Sequence, residues 1–336
     1  MNVKAREGVW FIYDGDCPIC SMAAHALRIR EQLGPIALLN AREDNAHPLL
    51  QRVRDEGLDL DEGMVILHDG RFYHGQAALQ FMARHGAPKG PFNRFMLPVF
   101  RSPTLGRLVY PWMRGIRNGL LKIRGKSAID NLGRATEPTF KPVFGAHWES
   151  LPTALQKRYG VRPYTNDKVV VDGIVNVVCR WPLRIAQPCY RLLGSIPLAT
   201  EYAVRCTVHI KSSPRDRRLA QVRHLWFVQR RYYRFRSRMM PLQTGRVMEQ
   251  MRFGFCWCMR ICWQDDKVQL RHDGYALHWF GHRIPLPLTW LLGRCDGEET
   301  ALDEEHFAMR VTMTHPLFGE LYSYAGTFRI TQQSMP

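Results

Sequence analysis

The first long apolar run, Val9-Trp10-Phe11-Ile12-Tyr13, has the length and composition of a buried strand. It stops at Asp14-Gly15-Asp16. Ile19, Met22, Ala26, Ile29 and Leu33 then recur at three- and four-residue steps, the stripe of a helix packed on a sheet. Ile36 to Leu39 reads as a second strand after Gly34-Pro35, and Ala46 to Glu56 as a second helix. Met64 to His68 is strand-like again. Asp69-Gly70 suits a two-residue hairpin turn, so Arg71 to His74 returns as a fourth strand. Gly75 breaks it, and Gln76 to His85 carries Ala78, Leu79 and Met82 on one helical face. The predicted order is strand, helix, strand, helix, hairpin, helix: an α/β unit.

The second half has another texture. A short helix is expected to end near Tyr159-Gly160, and a further helical stretch spans Arg180 to Leu193, interrupted by Pro182 and Pro188. After Pro197 the chain turns to long alternating strands: Ala203 to Lys211, Val222 to Arg236, Met251 to Trp263, Lys267 to His272, Ala276 to Phe280, and a hairpin from Phe307 to Ile330. The expectation is an α+β domain dominated by a curved antiparallel sheet. Phe253, Phe255, Trp257, Met259 and Ile261 share one face of their strand, with Cys256, Cys258 and Cys262 on the other. Those cysteines read as small residues of a second buried surface rather than as soft-metal ligands. Asn131 to Pro138 serves as the linker, giving domains 1–130 and 138–332.

Composition narrows the class. With 336 residues and 46% apolar content the chain can bury substantial cores, and its length suggests two domains. Nine cysteines, odd in number and unevenly spaced, do not resemble a secreted disulfide framework. The N-terminus lacks the apolar stretch of a signal peptide, and no uncharged apolar run is long enough to span a bilayer, so a cytoplasmic location is expected. The net charge is +17, with surpluses of 5 over residues 1–132 and 12 over residues 133–336. Such a balance favours an anionic partner.

Residues 92–126 form a Pro-punctuated extension of the first domain. Phe92, Phe95, Phe100, Tyr110 and Trp112 stand among seven Arg or Lys from Arg101 to Lys126. Two readings fit: a segment lying peripherally on the anionic inner face of the membrane, or helices covering the exposed face of the sheet. A nucleic-acid partner is disfavoured. Gln229 to Arg238 interleaves Arg with aromatics, but a half-buried strand gives the same alternation and no recognised motif accompanies it.

The chemistry concentrates at Cys17-Pro18-Ile19-Cys20. Thiols two residues apart close a disulfide within one turn, and either sulfur resolves a mixed disulfide formed by the other. A helix opening at Pro18 puts Cys17 at its N-terminus, where backbone N–H groups and the dipole favour thiolate. A zinc knuckle needs a second ligand pair, and the next cysteine, Cys179, is far off and alone. His25, His47, His68 and His74 lack paired spacing, so no metal and no cofactor is expected. The lead-in Asp14-Gly15-Asp16 also resembles the opening motif of haloacid-dehalogenase-type phosphatases, but the late acidic pair of that family finds only Asp265-Asp266, in the other domain.

Tyr13-Asp-Gly-Asp-Cys-Pro-Ile-Cys20, with the Asp-Gly hairpin, Gly75 and the helix after it, resembles the DCC family of thiol-disulfide oxidoreductases over residues 8–126. The resemblance implies a thioredoxin-like fold, Cys17 as attacking thiol and Cys20 as resolving thiol, with a protein or small-molecule thiol or disulfide as partner. Asp14 and Asp16 belong to the same signature. They are expected to raise the Cys17 pKa, to accept protons during exchange, or, for Asp16, to cap the helix. Pro18 and Met64 flank the substrate position, and Gly63-Met64 stands where thioredoxins place a cis-proline.

Trp226, Tyr232, Phe235, Ser237-Arg-Met239, Glu249, Phe253-Gly254, Pro285-Leu-Pro-Leu-Thr-Trp290, Thr314-His-Pro-Leu-Phe-Gly319 and Tyr324-Ala-Gly326 resemble domain-of-unknown-function family 4166 over residues 138–332. That family brings no chemistry with it. A curved sheet with aromatic strands could enclose an apolar ligand, and Arg236, Arg238, Glu249 and His315 are the candidate polar residues of such a cavity. The function expected is thiol-disulfide exchange at Cys17 and Cys20, with the second domain selecting or tethering substrate. The alternative is an apolar-ligand or lipid binding protein, associated with a membrane surface, whose first half is a scaffold or redox sensor.

Overall fold

The computed structural model describes residues 8–21, 36–44, 46–85, 98–228, 232–243, 245–279 and 282–335. The chain divides into two compact units, Met1–Arg134 and Ala135–Pro336. The expected helical positions Met22, Ala26, Ile29 and Leu33, and His25 beside them, lie outside the described residues, as do Phe92 and Phe95.

The first unit is a four-stranded mixed sheet in the order β2-β1-β3-β4. Strand β1 (Val9–Tyr13) runs parallel to β2 (Ile36–Asn40) and antiparallel to β3 (Val65–His68), which turns into β4 (Arg71–His74). Helix α1 begins at residue 18, and α2 (Pro48–Asp55), α3 (Gln76–His85) and α4 (Pro103–Ile123) follow. Side-chain alternation along β1 splits the core into two layers. Val9, Phe11 and Tyr13 pack with Ala78, Leu79 and Met82 of α3, Leu121 of α4 and both motif cysteines. Ile12 packs on the opposite face with Leu39, Leu50, Val53, Leu60 and Val65.

Helix α4 covers the sheet with one face, as one of the two readings of the basic extension expects, and leaves the other exposed. Gly106, Arg117 and Leu121 are buried, and Val109, Tyr110 and Met113 pack on the layer that holds the cysteines. Leu105, Leu108, Ile116 and Ile123 are exposed on the other side.

The second unit is an antiparallel sheet of eleven strands. They are β5 (Lys168–Cys179), β6 (Glu201–Ser213), β7 (Asp216–Trp226), β8 (Tyr233–Gln243), β9 (Arg246–Gln250), β10 (Phe255–Gln264), β11 (Lys267–Trp279), β12 (His282–Leu286), β13 (Arg294–Ala301), β14 (His306–His315) and β15 (Gly319–Ser334). The expected curved antiparallel sheet closes into a barrel, because β10 pairs with both β9 and β11 and so joins the two ends of the strand order. Ten strands complete the ring. The eleventh, β12, pairs only with the C-terminal half of β11. Helices α5 (Thr153–Tyr159) and α6 (Gln187–Leu193) accompany the barrel.

Several strand limits differ from the alternation pattern. Val222 to Arg236, expected as one strand, is a hairpin in which Arg223 faces Phe235. Both arms alternate with period two, so the reversal leaves no mark in the pattern. Conversely, the two short strands expected around Gly274 are one strand, β11. Strands β5, β9, β12 and β13 were not foreseen. On β10, Cys256 and Cys258 are buried in a small cluster with Met248 and Ala276, whereas Cys262 is exposed.

Candidate active site

The two thiols sit where β1 gives way to α1. The turn between them is held by three contacts. Asp14 Oδ1 accepts the Asp16 backbone N–H at 3.1 Å, the Cys17 N–H donates to the Asp14 carbonyl at 3.1 Å, and the Gly15 N–H donates to Asn40 Oδ1 at 2.9 Å. A Cβ on Gly15 would fall 2.1 Å from the Asn40 side-chain nitrogen, so only glycine lets the end of β2 clasp the turn. Helix residues 18–21 then place the Cys20 N–H 3.1 Å from Cys17 Sγ, to which it donates. Both cysteines are free and buried, Cys17 completely.

These contacts set the thiol chemistry. A hydrogen bond from the Cys20 thiol is the largest influence on Cys17. Together with the Cys20 backbone N–H and the Arg117 charge it overcomes burial and the Asp14 carboxylate, bringing Cys17 down to about 6. Cys20 is pushed the opposite way, by its hydrogen bond to Cys17, by burial and by the charge on Cys17. Cys17 is therefore the thiolate of the pair, and Cys20 keeps its proton.

Asp14 does push the Cys17 pKa up, as expected, but the Cys20 thiol, the Cys20 backbone N–H and the Arg117 charge outweigh it, and both carboxylates are themselves matched by cations. Arg42 Nε lies 2.6 Å from Asp14 Oδ1, and Arg117 Nη2 lies 3.0 Å from Asp14 Oδ2. Burial pushes Asp14 up, but these two guanidiniums outweigh it and hold the carboxyl below its usual range. Asp14 is thus a poor proton acceptor. Asp16 is drawn to Arg42 Nε at 3.2 Å and Lys126 Nζ at 3.0 Å rather than to the first turn of α1. The helix-capping role expected of Asp16 gives way to ion pairing, and the side chain that accepts from the turn is Asp14.

Pro18 is half-buried as the first residue of α1, and Met64 is buried in the same layer as both thiols, directly ahead of β3. Its neighbour Gly63 sits where Tyr110 Oη, donating to the Glu62 carbonyl at 2.7 Å, comes close. A Cβ on Gly63 would lie 2.3 Å from that oxygen and 2.6 Å from the Gly75 Cα. Arg42, Arg117 and Tyr110 are the site residues that motif reading missed. Arg42 had a signal: it follows β2 by two residues, and parallel pairing of Tyr13 with Asn40 brings it beside Asp14. Arg117 and Tyr110 had none, since only the packing of α4 brings them in.

In the second unit, β8 alternates Phe235, Ser237 and Met239 inward with Arg236 and Arg238 outward and exposed, so those two arginines are not cavity residues. Glu249 does face the barrel interior, where it meets Arg223 Nη1 at 3.0 Å and accepts from Ser237 Oγ at 2.5 Å. His315 is buried at the end of β14, accepts the Leu317 N–H at 3.1 Å and packs on Phe318, an assignment to a turn and not to the cavity. Among the described residues, no three His, Cys, Asp or Glu side chains are placed to hold a metal ion, and no helix is long and apolar enough to cross a membrane.

The family model for the domain of unknown function DUF4166 matches residues 151–328, more than half of the chain. The chain belongs to the DUF4166 family. The model for DCC1-like thiol-disulfide oxidoreductases matches residues 11–122, the unit that carries Cys17 and Cys20 ahead of the DUF4166 barrel. No curated protein matches the chain. Among solved structures, that of Rv2717c from M. tuberculosis aligns at 10% identity and a TM-score of 0.29, over 54% of this chain and 99% of that one. The H959F variant of the PpsC dehydratase domain from Mycobacterium tuberculosis aligns at 9% identity and a TM-score of 0.15, over 54% and 85%. Scores this low carry no argument about the DUF4166 unit.

Proposed function

We propose that the first unit is a thiol-disulfide oxidoreductase of thioredoxin-like build in which Cys17 attacks and Cys20 resolves. The observation that carries this reading is the split between two adjacent thiols, one lowered to about 6 and the other raised, with the Cys20 N–H on Cys17 Sγ. In the first step the Cys17 thiolate bonds to one sulfur of a substrate disulfide. The substrate S–S bond breaks, and its other sulfur leaves as thiolate and takes a proton from solvent. In the second step Cys20 loses its proton to solvent and attacks Cys17 Sγ, releasing the second substrate thiol and leaving a Cys17–Cys20 disulfide. Two electrons pass from the dithiol to the substrate, and a thiol reductant restores the pair.

Complete burial of Cys17 means that a partner sulfur reaches it only after local movement of the covering side chains. Asp14, held ionised between Arg42 and Arg117, serves in this reading to position Arg117 beside the thiols. The direct test is trapping: a Cys20→Ser variant should accumulate a mixed disulfide through Cys17, and a Cys17→Ser variant should lose insulin reduction. Undiminished turnover by Cys17→Ser ends the proposal.

A second reading concerns where the unit works. Leu105, Leu108, Ile116 and Ile123 are all about half exposed or more along one side of α4. Arg107 and Lys122 are exposed on the same helix and Arg124 just beyond its end, and no Asp or Glu occurs from Arg101 to Ile129. That combination matches the surface of an anionic bilayer. Co-sedimentation with phosphatidylserine vesicles, weakened by Leu108→Ser with Ile116→Ser, tests it; equal binding to phosphatidylcholine vesicles rejects it.

A further inference from the structure

The barrel holds a cavity of about 90 Å³, walled mainly by inward residues of its strands. The wall carries charge, but the charge is settled internally. Arg223 pairs with Glu249 at 3.0 Å, and Arg158 grips Glu299 through Nε and Nη2, both at 2.7 Å, with Tyr159 Oη donating to the same carboxylate at 3.0 Å. Two cations meet two anions. A charged guest would find no free counter-charge to offset its desolvation.

Two neutral donors on the same wall are not settled. Trp257 Nε1 and Tyr322 Oη are buried without a hydrogen-bond partner, in residues only 9% and 1% exposed. Buried polar groups are normally satisfied, and each that is not costs about 1–3 kcal/mol. The indole N–H can only donate. Tyr322 stays a phenol, since burial pushes its pKa well above the usual value. Other polar side chains of the lining have partners, Gln221 with Met239 and Arg223, Tyr190 with Met313, Tyr275 with the Gly293 carbonyl and Tyr324 with Cys206, and much of the remainder is apolar and pliable, with Met251, Met259 and Met309 among it. The space is within a factor of two of the roughly 150 Å³ apolar cavity that admits benzene.

We propose that the barrel cavity binds a compact, uncharged, mainly apolar molecule bearing a carbonyl-type oxygen, which accepts hydrogen bonds from Trp257 Nε1 and Tyr322 Oη. The site stands apart from the redox chemistry of Cys17 and Cys20, and no part of the inference depends on that chemistry. A carbonyl oxygen has two lone pairs and so suits two donors. Methionine walls accommodate the hydrocarbon remainder.

Three ring compounds of similar size test the assignment on the full chain: cyclohexanone, methylenecyclohexane, which lacks the oxygen, and cyclohexanecarboxylate, which adds a charge. Binding is read from the indole N–H resonance of Trp257, identified by its loss in Trp257→Phe. Cyclohexanone should shift that resonance and bind about tenfold more tightly than methylenecyclohexane, the worth of one or two hydrogen bonds. Tyr322→Phe should remove about three- to tenfold of the ketone's affinity and leave that of the hydrocarbon unchanged. Both variants keep the aromatic bulk, and a native circular dichroism spectrum shows that each has folded. Equal affinity for ketone and hydrocarbon, tighter binding of the carboxylate, or no shift of the Trp257 resonance at saturating ketone would each overturn the proposal.

Discussion

Replacing Cys20 by alanine isolates what activates Cys17. Cys17 is pushed down from about 9 to about 6, which is worth about 4 kcal/mol. The Cys20 thiol is the largest favourable influence, ahead of the Cys20 N–H at 3.1 Å and the charge of Arg117. A hydrogen bond to a charged acceptor contributes about 1.5–3 kcal/mol, so its loss should raise Cys17 by about 1–2 units, to roughly 7–8. The backbone N–H and Arg117 remain and keep it below an unperturbed thiol. Because the folded pKa is depressed, thiolate persists above the midpoint and is lost as pH falls through it. At pH 7 the ionised fraction should fall from about nine-tenths to between about one-tenth and one-half. Thiolate absorbance in the ultraviolet, titrated against a Cys17→Ser blank, reads this directly and needs no access to the buried sulfur. A midpoint near 6 in Cys20→Ala would show that the Cys20 thiol is not the cause. A wild-type midpoint near 9 would refute the activation altogether.

Asp14→Asn should cost about 3–5 kcal/mol in urea unfolding, because it strips a nine-tenths-buried Arg117 of its carboxylate. It should also lower the Cys17 midpoint, since a negative neighbour is removed; a raised midpoint would contradict the electrostatic account. Gly63→Ala should destabilise the first unit by about 1–3 kcal/mol. Adding Tyr110→Phe should not restore it, because the Gly75 Cα blocks the new methyl as well; full rescue in thermal melts would locate the clash wrongly. Glu299→Gln should cost about 3–5 kcal/mol by leaving Arg158 buried without its bidentate partner, and an unchanged unfolding transition would show that the barrel interior tolerates the charge.

The local pattern was a sufficient guide wherever neighbours in sequence are also neighbours in space. The apolar run Val9–Tyr13 placed β1, and Asp69-Gly70 placed the β3-β4 hairpin. The CxxC spacing by itself put one thiol on the N–H of the other, since a single helical turn joins them. The sign of the charge around that pair was not local. Asp14 and Asp16 are adjacent to Cys17 in sequence and suggested a raised pKa; Cys20, within the motif, is the largest influence that lowers it, and Arg117, 103 residues from Asp14, adds to this through a contact that only folding makes.

The barrel shows the same division on a larger scale. Alternation determined which residues of β10 share a face, whereas Glu249 and Trp257 look the same way because β9 pairs with β10. Closure depends on β10 finding β11 on one side and β9 on the other, a matter of strand order that no pattern within a strand encodes. The sequence determined a dithiol at the head of a helix and a strand-rich partner unit. Tertiary structure decided which cations surround the dithiol and that the second unit has an inside, because both outcomes rest on charges and strand edges brought together from distant parts of the chain.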